Sequence, residues 1–282
     1  VVGTSTGAIV AGLLGIKNTD VARCEEIYDT LIPEIFQKSP VTGPIQLISE
    51  QAFYDEKHWE AVLKLMLDEQ RMLDTMSAPD AVTVLAMSTC ISLDPAKLFV
   101  ARNCRPAKPS RYDGSCTIRA RHAIRISTAA PTLFTPKEVD GRMYCDGAFF
   151  ANNPTAVAYY EAQRIWPDVP VEVVVSIGTG TFVEKVAPEN TYGWGTIINQ
   201  LIESATDTVR VHETLESFLP KEKYFRFNPK MVMINIDETD PNVLEEHKIV
   251  AREFFEDPVQ RERLEELGKL LNPRKAGSFP WR

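Results

Sequence analysis

Apolar side chains recur at helical spacing between Asp20 and Phe36 (Val21, Cys24, Ile27, Tyr28, Leu31 and Ile32), which predicts an amphipathic helix capped by Thr19 or Asp20. A second helical pattern runs from Glu56 to Leu67. The near-continuous apolar run Ala81 to Ile91 reads as a buried strand, followed by a turn at Leu93-Asp94-Pro95-Ala96 and a second strand over Lys97 to Asn103. Ile118 to Ser127 reads as a helix closed by Ala130-Pro131, and Met143-Tyr144-Cys145 as a short strand running into Asp146-Gly147-Ala148. Asn152-Asn153-Pro154 offers a cap followed by proline at the first helical position of a helix ending near Trp166-Pro167. Val171 to Ile177 predicts another buried strand, ending in Gly178-Thr179-Gly180. Beyond it lie a long helix over Thr196 to Leu219, with Ile197, Leu201, Ile202, Ala205, Val209 and Leu215 on one side, and a strand at Tyr224 to Phe227. Pro241 to Leu271 is acidic and helical. This order of elements suits a layered α/β sheet. Neither a repeat nor a flexible linker interrupts it, so residues 1–282 read as one domain, with about 237–282 a peripheral helical extension.

Composition narrows the function. A formal net charge of −8 argues against a nucleic-acid partner and against membrane binding by bulk charge, while leaving room for a local apolar or basic contact surface. Seven basic side chains lie between residues 102 and 125 (Arg102, Arg105, Lys108, Arg111, Arg119, Arg121 and Arg125), readable as a rim for phosphate headgroups or as a solvated loop and helix face. The five cysteines are scattered and odd in number, which suits a reducing compartment. The four histidines are isolated, so no metal site is expected. The apolar run Ala8 to Ile16 is too short to span a membrane. The chain does not begin with methionine, and its true N-terminus, with any targeting segment, is expected to lie elsewhere.

The candidate chemistry sits at the very start. Gly3-Thr4-Ser5-Thr6-Gly7 is a G-x-S-x-G pentapeptide, the pattern in which a strand turns sharply into a helix and exposes the serine between. The glycines at 3 and 7 fit a turn with little room for side chains. About 0.1 such matches arise by chance in a chain this long, so the pattern alone is weak. Its small, apolar sequel, Ala8 to Leu14, suits a helix packed tightly behind the turn.

Serine needs a base to take its proton. His212 and His247 follow Asp146, so an order Ser, Asp, His is open, although both lie in charged helical stretches; His58 and His122 also sit among charges. Asp146 ends a short strand before a glycine, which aims a carboxylate along a sheet edge, where α/β proteins place their sites. In water such a carboxylate is a weak base and would need burial to serve.

Together, Gly3 to Gly7 and Asp146-Gly147-Ala148 resemble the patatin-like phospholipases, which use a Ser–Asp dyad without histidine. Ala52-Phe53-Tyr54-Asp55, Phe99-Val100 with Arg102-Asn103, and Ala123-Ile124-Arg125 with Ser127 and Ala129-Ala130-Pro131 are similar to gamma-type calcium-independent phospholipase A2. So are Asn152-Asn153-Pro154, Trp166-Pro167-Asp168-Val169-Pro170, Ser176-Ile177-Gly178-Thr179-Gly180 and Tyr224-Phe225-Arg226-Phe227-Asn228-Pro229. The resemblance implies a layered α/β fold with helices on both faces of the sheet. It implies Ser5 as nucleophile, Asp146 as general base and then acid, and Gly3, Gly7 and Gly147 as motif glycines. The substrate implied is an acyl ester of a glycerophospholipid or lysophospholipid at a membrane surface, cleaved without metal or other cofactor. The setting implied is intracellular, peripheral at organelle or other membranes.

Two departures accompany it. The family pattern Asp-Gly-Gly reads Asp-Gly-Ala here. The Thr6 N–H would supply one oxyanion donor, whereas the family's glycine-rich oxyanion loop is expected to lie upstream of the first residue, with only Val1 and Val2 left of the strand expected to feed the elbow. Residues 1–282 alone are therefore expected to turn over lipid esters poorly. A triacylglycerol lipase of the same fold and a non-catalytic lipid-binding regulator are alternatives. Phosphate binding by the elbow is a weaker one, because no P-loop lysine follows Gly7.

Overall fold

The computed structural model describes residues 1–36, 56–77, 81–131, 133–182, 207–232, 234 and 237–271. The chain divides into two compact units, Val1–Val171 with Pro188–Glu213, and Glu172–Ala187 with Thr214–Arg282.

The first unit is built on a six-stranded sheet. Its strands are β1 (Val2–Thr4), β2 (Leu85–Cys90), β3 (Lys97–Arg102), β4 (Asp113–Ser115), β5 (Lys137–Val139) and β6 (Arg142–Asp146), in the order β4-β3-β2-β6-β5 with β1 also paired to β2. All six residues of β2 are buried, so both faces of this strand must be covered. Val84, Ala86 and Cys90 point to one face and join a core with Ala8, Ile9 and Leu13, Trp59 and Leu63, and Ala123 and Ile124. These come from helices α1 (Thr6–Ala11, extended by a wider π turn over Gly12–Ile16), α3 (Glu56–Leu67) and α4 (Ala120–Ser127). Leu85 and Met87 point the other way and pack with Leu98, Val100, Ala151, Val157 and Ile165. Ala151 closes the short α5 (Ala148–Ala151), and Val157 and Ile165 belong to α6 (Thr155–Ile165). Helices thus cover both faces of the sheet. The helix α2 (Val21–Ile35) begins where the pattern placed it, and Asp20 caps it by accepting the Arg23 N–H at 2.8 Å.

The basic stretch is not wholly a solvated face. Arg102 is buried and grips buried Glu161 through Nε at 2.7 Å and Nη2 at 2.8 Å, a bidentate pair tying β3 to α6. Arg125 is also buried and faces Glu56 at 3.3 Å and Glu60 at 3.5 Å, which clamps α4 to α3. Arg119 and Arg121 pair with Glu69, and the Arg111 guanidinium lies over the Tyr112 and Tyr160 rings. Arg105 and Lys108 remain exposed.

Other expectations shift. Pro154 is the cap of α6 rather than its first residue, and Asn153 turns its side-chain oxygen onto the Thr155 N–H and hydroxyl. The strand expected over Val171 to Ile177 is β7 (Val174–Ile177), and it is not buried: Ile177 is 79% exposed and only Ser176 is covered. The apolar run implied two covered faces, but β7 lies in the second unit in a two-stranded sheet with β9 (Tyr224–Phe227). A separate pair joins β8 (Thr181–Phe182) to β10 (Lys230–Met231). The helix expected from Thr196 is seen as α7 (Val209–Phe218); residues 196–206 lie outside the described residues, as does Ala52-Phe53-Tyr54-Asp55. The helical stretch from Pro241 is two helices, α8 (Pro241–Glu256) and α9 (Pro258–Leu271), interrupted before Pro258, which has no N–H to continue the ladder.

Candidate active site

Two strand ends meet head-on to make the site. One edge of β2 is paired along its whole length by antiparallel β3. The opposite edge is shared: parallel β1 takes Leu85 to Met87, and antiparallel β6 takes Ser88 to Cys90. Thr4 therefore stands opposite Met87, and Asp146 opposite the next residue, Ser88. Were β1 to continue, Ser5 would fall on the position Asp146 occupies. It leaves the sheet instead, with φ 54° and ψ −126°, a left-handed conformation that costs a serine about 1–3 kcal/mol.

The surrounding groups hold that turn. The Ser5 N–H, lost to the sheet, donates to the Ser127 hydroxyl at 3.0 Å, and that hydroxyl donates to the Met87 carbonyl at 2.5 Å. Thr4 Oγ1 donates to the Ala151 carbonyl at 2.5 Å, tying the elbow to the segment after Asp146. A Cβ on Gly3 would run into the Gly7 carbonyl, so position 3 admits only glycine. At Gly7 a Cβ would meet no described atom within 4 Å. The expectation of close quarters thus holds for the first glycine and not for the second.

Asp146 is 2% exposed. Its N–H donates to the Ala129 carbonyl at 3.0 Å, and its carbonyl accepts from the Thr89 hydroxyl at 2.7 Å. Its carboxylate accepts from the Ala148 N–H at 2.8 Å and from the Ser5 hydroxyl. Burial pushes the Asp146 carboxyl up to about 6, against the two hydrogen bonds, which pull it down. No histidine figures among the groups that set it. Gly147 can only be glycine, because a Cβ would strike the Met87 carbonyl. The side chain of Ala148 is accommodated, and only its N–H is used.

Ser5 stands at the cap position just before α1, but its side chain makes no capping bond, since its hydroxyl faces Asp146. The Thr6 N–H lies in the first helical turn, where N–H groups have no intrahelical acceptor, and so can receive a developing oxyanion. The Thr6 side chain bonds the Tyr28 hydroxyl. Of the histidines, His58 faces Glu34, and His247 contacts the Val243 and Val232 carbonyls. Among the described residues no cluster of three or more His, Cys, Asp or Glu could hold a metal ion.

A family model described as Patatin-like phospholipase matches residues 1–159, which contain both Ser5 and Asp146. The chain belongs to the patatin-like phospholipase family. Within it, the chain is 36% identical over 279 residues, 97% of its length, to "Calcium-independent phospholipase A2-gamma" of Homo sapiens, covering 35% of that protein. The Oryctolagus cuniculus protein of the same name is 35% identical, again with 97% of this chain and 35% of the relative aligned. "Phospholipase A I" of Arabidopsis thaliana is 31% identical over 313 residues, 90% of this chain and 24% of that one. The chain thus spans about a third or less of the length of these relatives.

The patatin-like frame explains what the linear pattern could not reveal. Ser127 appeared only as a letter in a matching segment, because its bonds cross from α4 to the elbow, 122 residues away. Ser88 carried no signal at all. Its importance comes from register, standing opposite Asp146.

Proposed function

We propose that this chain carries the acyl-transfer site of a phospholipase that cleaves acyl esters of glycerophospholipids or lysophospholipids through a Ser5–Asp146 dyad. The observation that carries the reading is the hydrogen bond from the strained Ser5 hydroxyl to a buried carboxylate whose pKa is raised to about 6. Such a carboxylate is mostly ionised at pH 7 and more basic than one in water, as a general base must be. Ser5 Oγ attacks the acyl carbonyl as its proton passes to Asp146. The tetrahedral oxyanion is received by the Thr6 N–H. Asp146 then returns the proton to the leaving lysophospholipid or glycerophosphodiester oxygen, giving an acyl–Ser5 ester that water hydrolyses with Asp146 again as base.

Independence of calcium is part of the proposal, supported by the relatives' names. Peripheral action at an intracellular membrane surface is also part of the proposal, and its support is the family resemblance alone. The test is fluorophosphonate labelling and phospholipid turnover in the full-length protein. Labelling is expected to vanish in Ser5→Ala and turnover in Asp146→Asn, while His212→Ala keeps both. Retained turnover in Asp146→Asn would refute the dyad, and a large loss in His212→Ala would favour a triad.

A further inference from the structure

Ser88 lies at the centre of the sheet, is 0% exposed, and its hydroxyl has no hydrogen-bond partner among the described residues. A buried hydroxyl left unpaired costs stability, so its presence asks for a reason. Register supplies one. Ser88 stands directly opposite Asp146 in the antiparallel β2–β6 pair. The Ile91 N–H donates to the Met143 carbonyl, which makes that a hydrogen-bonded pair. Alternation then makes Ser88 and Asp146 a non-hydrogen-bonded pair, the kind whose Cα atoms lie about 4.5 Å apart and whose side chains come closest. Both side chains also leave the sheet on the same face, the one covered by α1 and α4.

In the resting site the Asp146 carboxylate already has two donors, the Ser5 hydroxyl and the Ala148 N–H, and Ser88 is idle. Once Ser5 Oγ is acylated it has no proton left to donate, and Asp146 keeps only the Ala148 N–H. We propose that Ser88 is a positioning residue for deacylation: its hydroxyl rotates onto the Asp146 carboxylate when Ser5 is acylated and replaces the lost donor. Serine has three staggered rotamers, so the swing needs no backbone movement. With the replacement donor in place, Asp146 stays ionised and oriented to take a proton from the incoming water. The water oxygen bonds the acyl carbon, and Ser5 Oγ leaves with the proton returned by Asp146.

This inference rests on the Ser5–Asp146 reading, and the experiment separates the two. Acylation and deacylation are followed across pH with a chromogenic p-nitrophenyl acyl ester, together with fluorophosphonate labelling, in the full-length protein and its Ser88→Ala, Ser88→Thr and Ser88→Cys forms. In Ser88→Ala the acid limb of deacylation is expected to rise by about one pH unit. Deacylation then slows about tenfold below that limb, and a p-nitrophenol burst appears as acyl-enzyme accumulates. The acid limb of labelling, which reads the free enzyme, stays in place. Ser88→Thr restores deacylation, and the thermal midpoint of Ser88→Ala is unchanged or higher because an unpaired buried hydroxyl is gone. An unchanged deacylation limb in Ser88→Ala, or equal displacement of both limbs, overturns the proposal; should that form fail to fold, Ser88→Cys is read by the same criterion. If Asp146→Asn retains turnover, the dyad itself fails, whereas lost turnover there with an unmoved Ser88→Ala limb refutes only the role of Ser88.

Discussion

Two carboxylates are buried in the same unit and are treated in opposite ways. Glu161 is 0% exposed, and Arg102 meets it with two parallel N–H donors while Ser110 adds a hydroxyl at 2.5 Å. Asp146 is almost as deeply buried and has no cation among the groups that set its pKa; one backbone N–H and one serine hydroxyl are what it is given. The first charge is neutralised and locks β3 to α6. The second is left with a raised proton affinity, beside a serine held in a left-handed backbone. A buried acid with an arginine fork ties elements together, whereas one without a cation keeps the raised proton affinity that the proposed dyad would use.

The comparison can be broken most directly at Asp146. Asp146→Asn is expected to lower phospholipid turnover by about 10³-fold or more, measured on vesicles, since the proposed base and then acid would be lost together. The same substitution is expected to stabilise the fold near neutral pH. The Asp146 pKa is about 6 when folded and 3.8 as the reference. Between those values the unfolded chain releases a proton that the native state keeps, so native stability falls as pH rises from about 4 to 6 and the full penalty applies above 6. That penalty is about 3 kcal/mol. Thermal melts of Asp146→Asn against the parent should therefore separate at pH 7.5 and converge near pH 4.

Glu161 should behave in reverse. Glu161→Gln leaves the Arg102 guanidinium buried and uncompensated, at a cost of about 3–5 kcal/mol in denaturant titrations, with Ser5 labelling per folded molecule retained. Ser127→Ala tests the support between these extremes. It strands the Ser5 N–H and the Met87 carbonyl, which should cost about 1–3 kcal/mol and slow labelling of Ser5. The smallest effect on folding is expected at Gly7. Gly7→Ala should change the melting midpoint little, because its Cβ meets nothing described, whereas Gly3→Ala should unfold the elbow in the same assay.

Much of the fold was legible along the chain. Period and caps placed the helices at Val21–Ile35 and Glu56–Leu67 and the strands at Leu85–Cys90 and Lys97–Arg102 within a few residues, because each buries an apolar face that its own spacing declares. Val174–Ile177 misled for the same reason. An apolar run implies two covered faces, but the strand found one neighbour in a small separate sheet and left Ile177 open. The basic stretch misled in another way, since whether Arg102 meets water or Glu161 depends on a partner 59 residues away.

By itself the sequence determined the two chemical groups of the candidate site. Glycine at 3 and 147 and a serine and an aspartate beside them are local requirements of an elbow and of a turn leaving a strand. Only the tertiary structure decided that the two groups meet. β1 and β6 share one edge of β2 and run toward each other until Thr4 and Asp146 stand opposite consecutive residues, which forces Ser5 out of the sheet and onto the carboxylate. The register that also sets Ser88 beside Asp146 belongs to the pairing of strands more than fifty residues apart, and no local pattern records it.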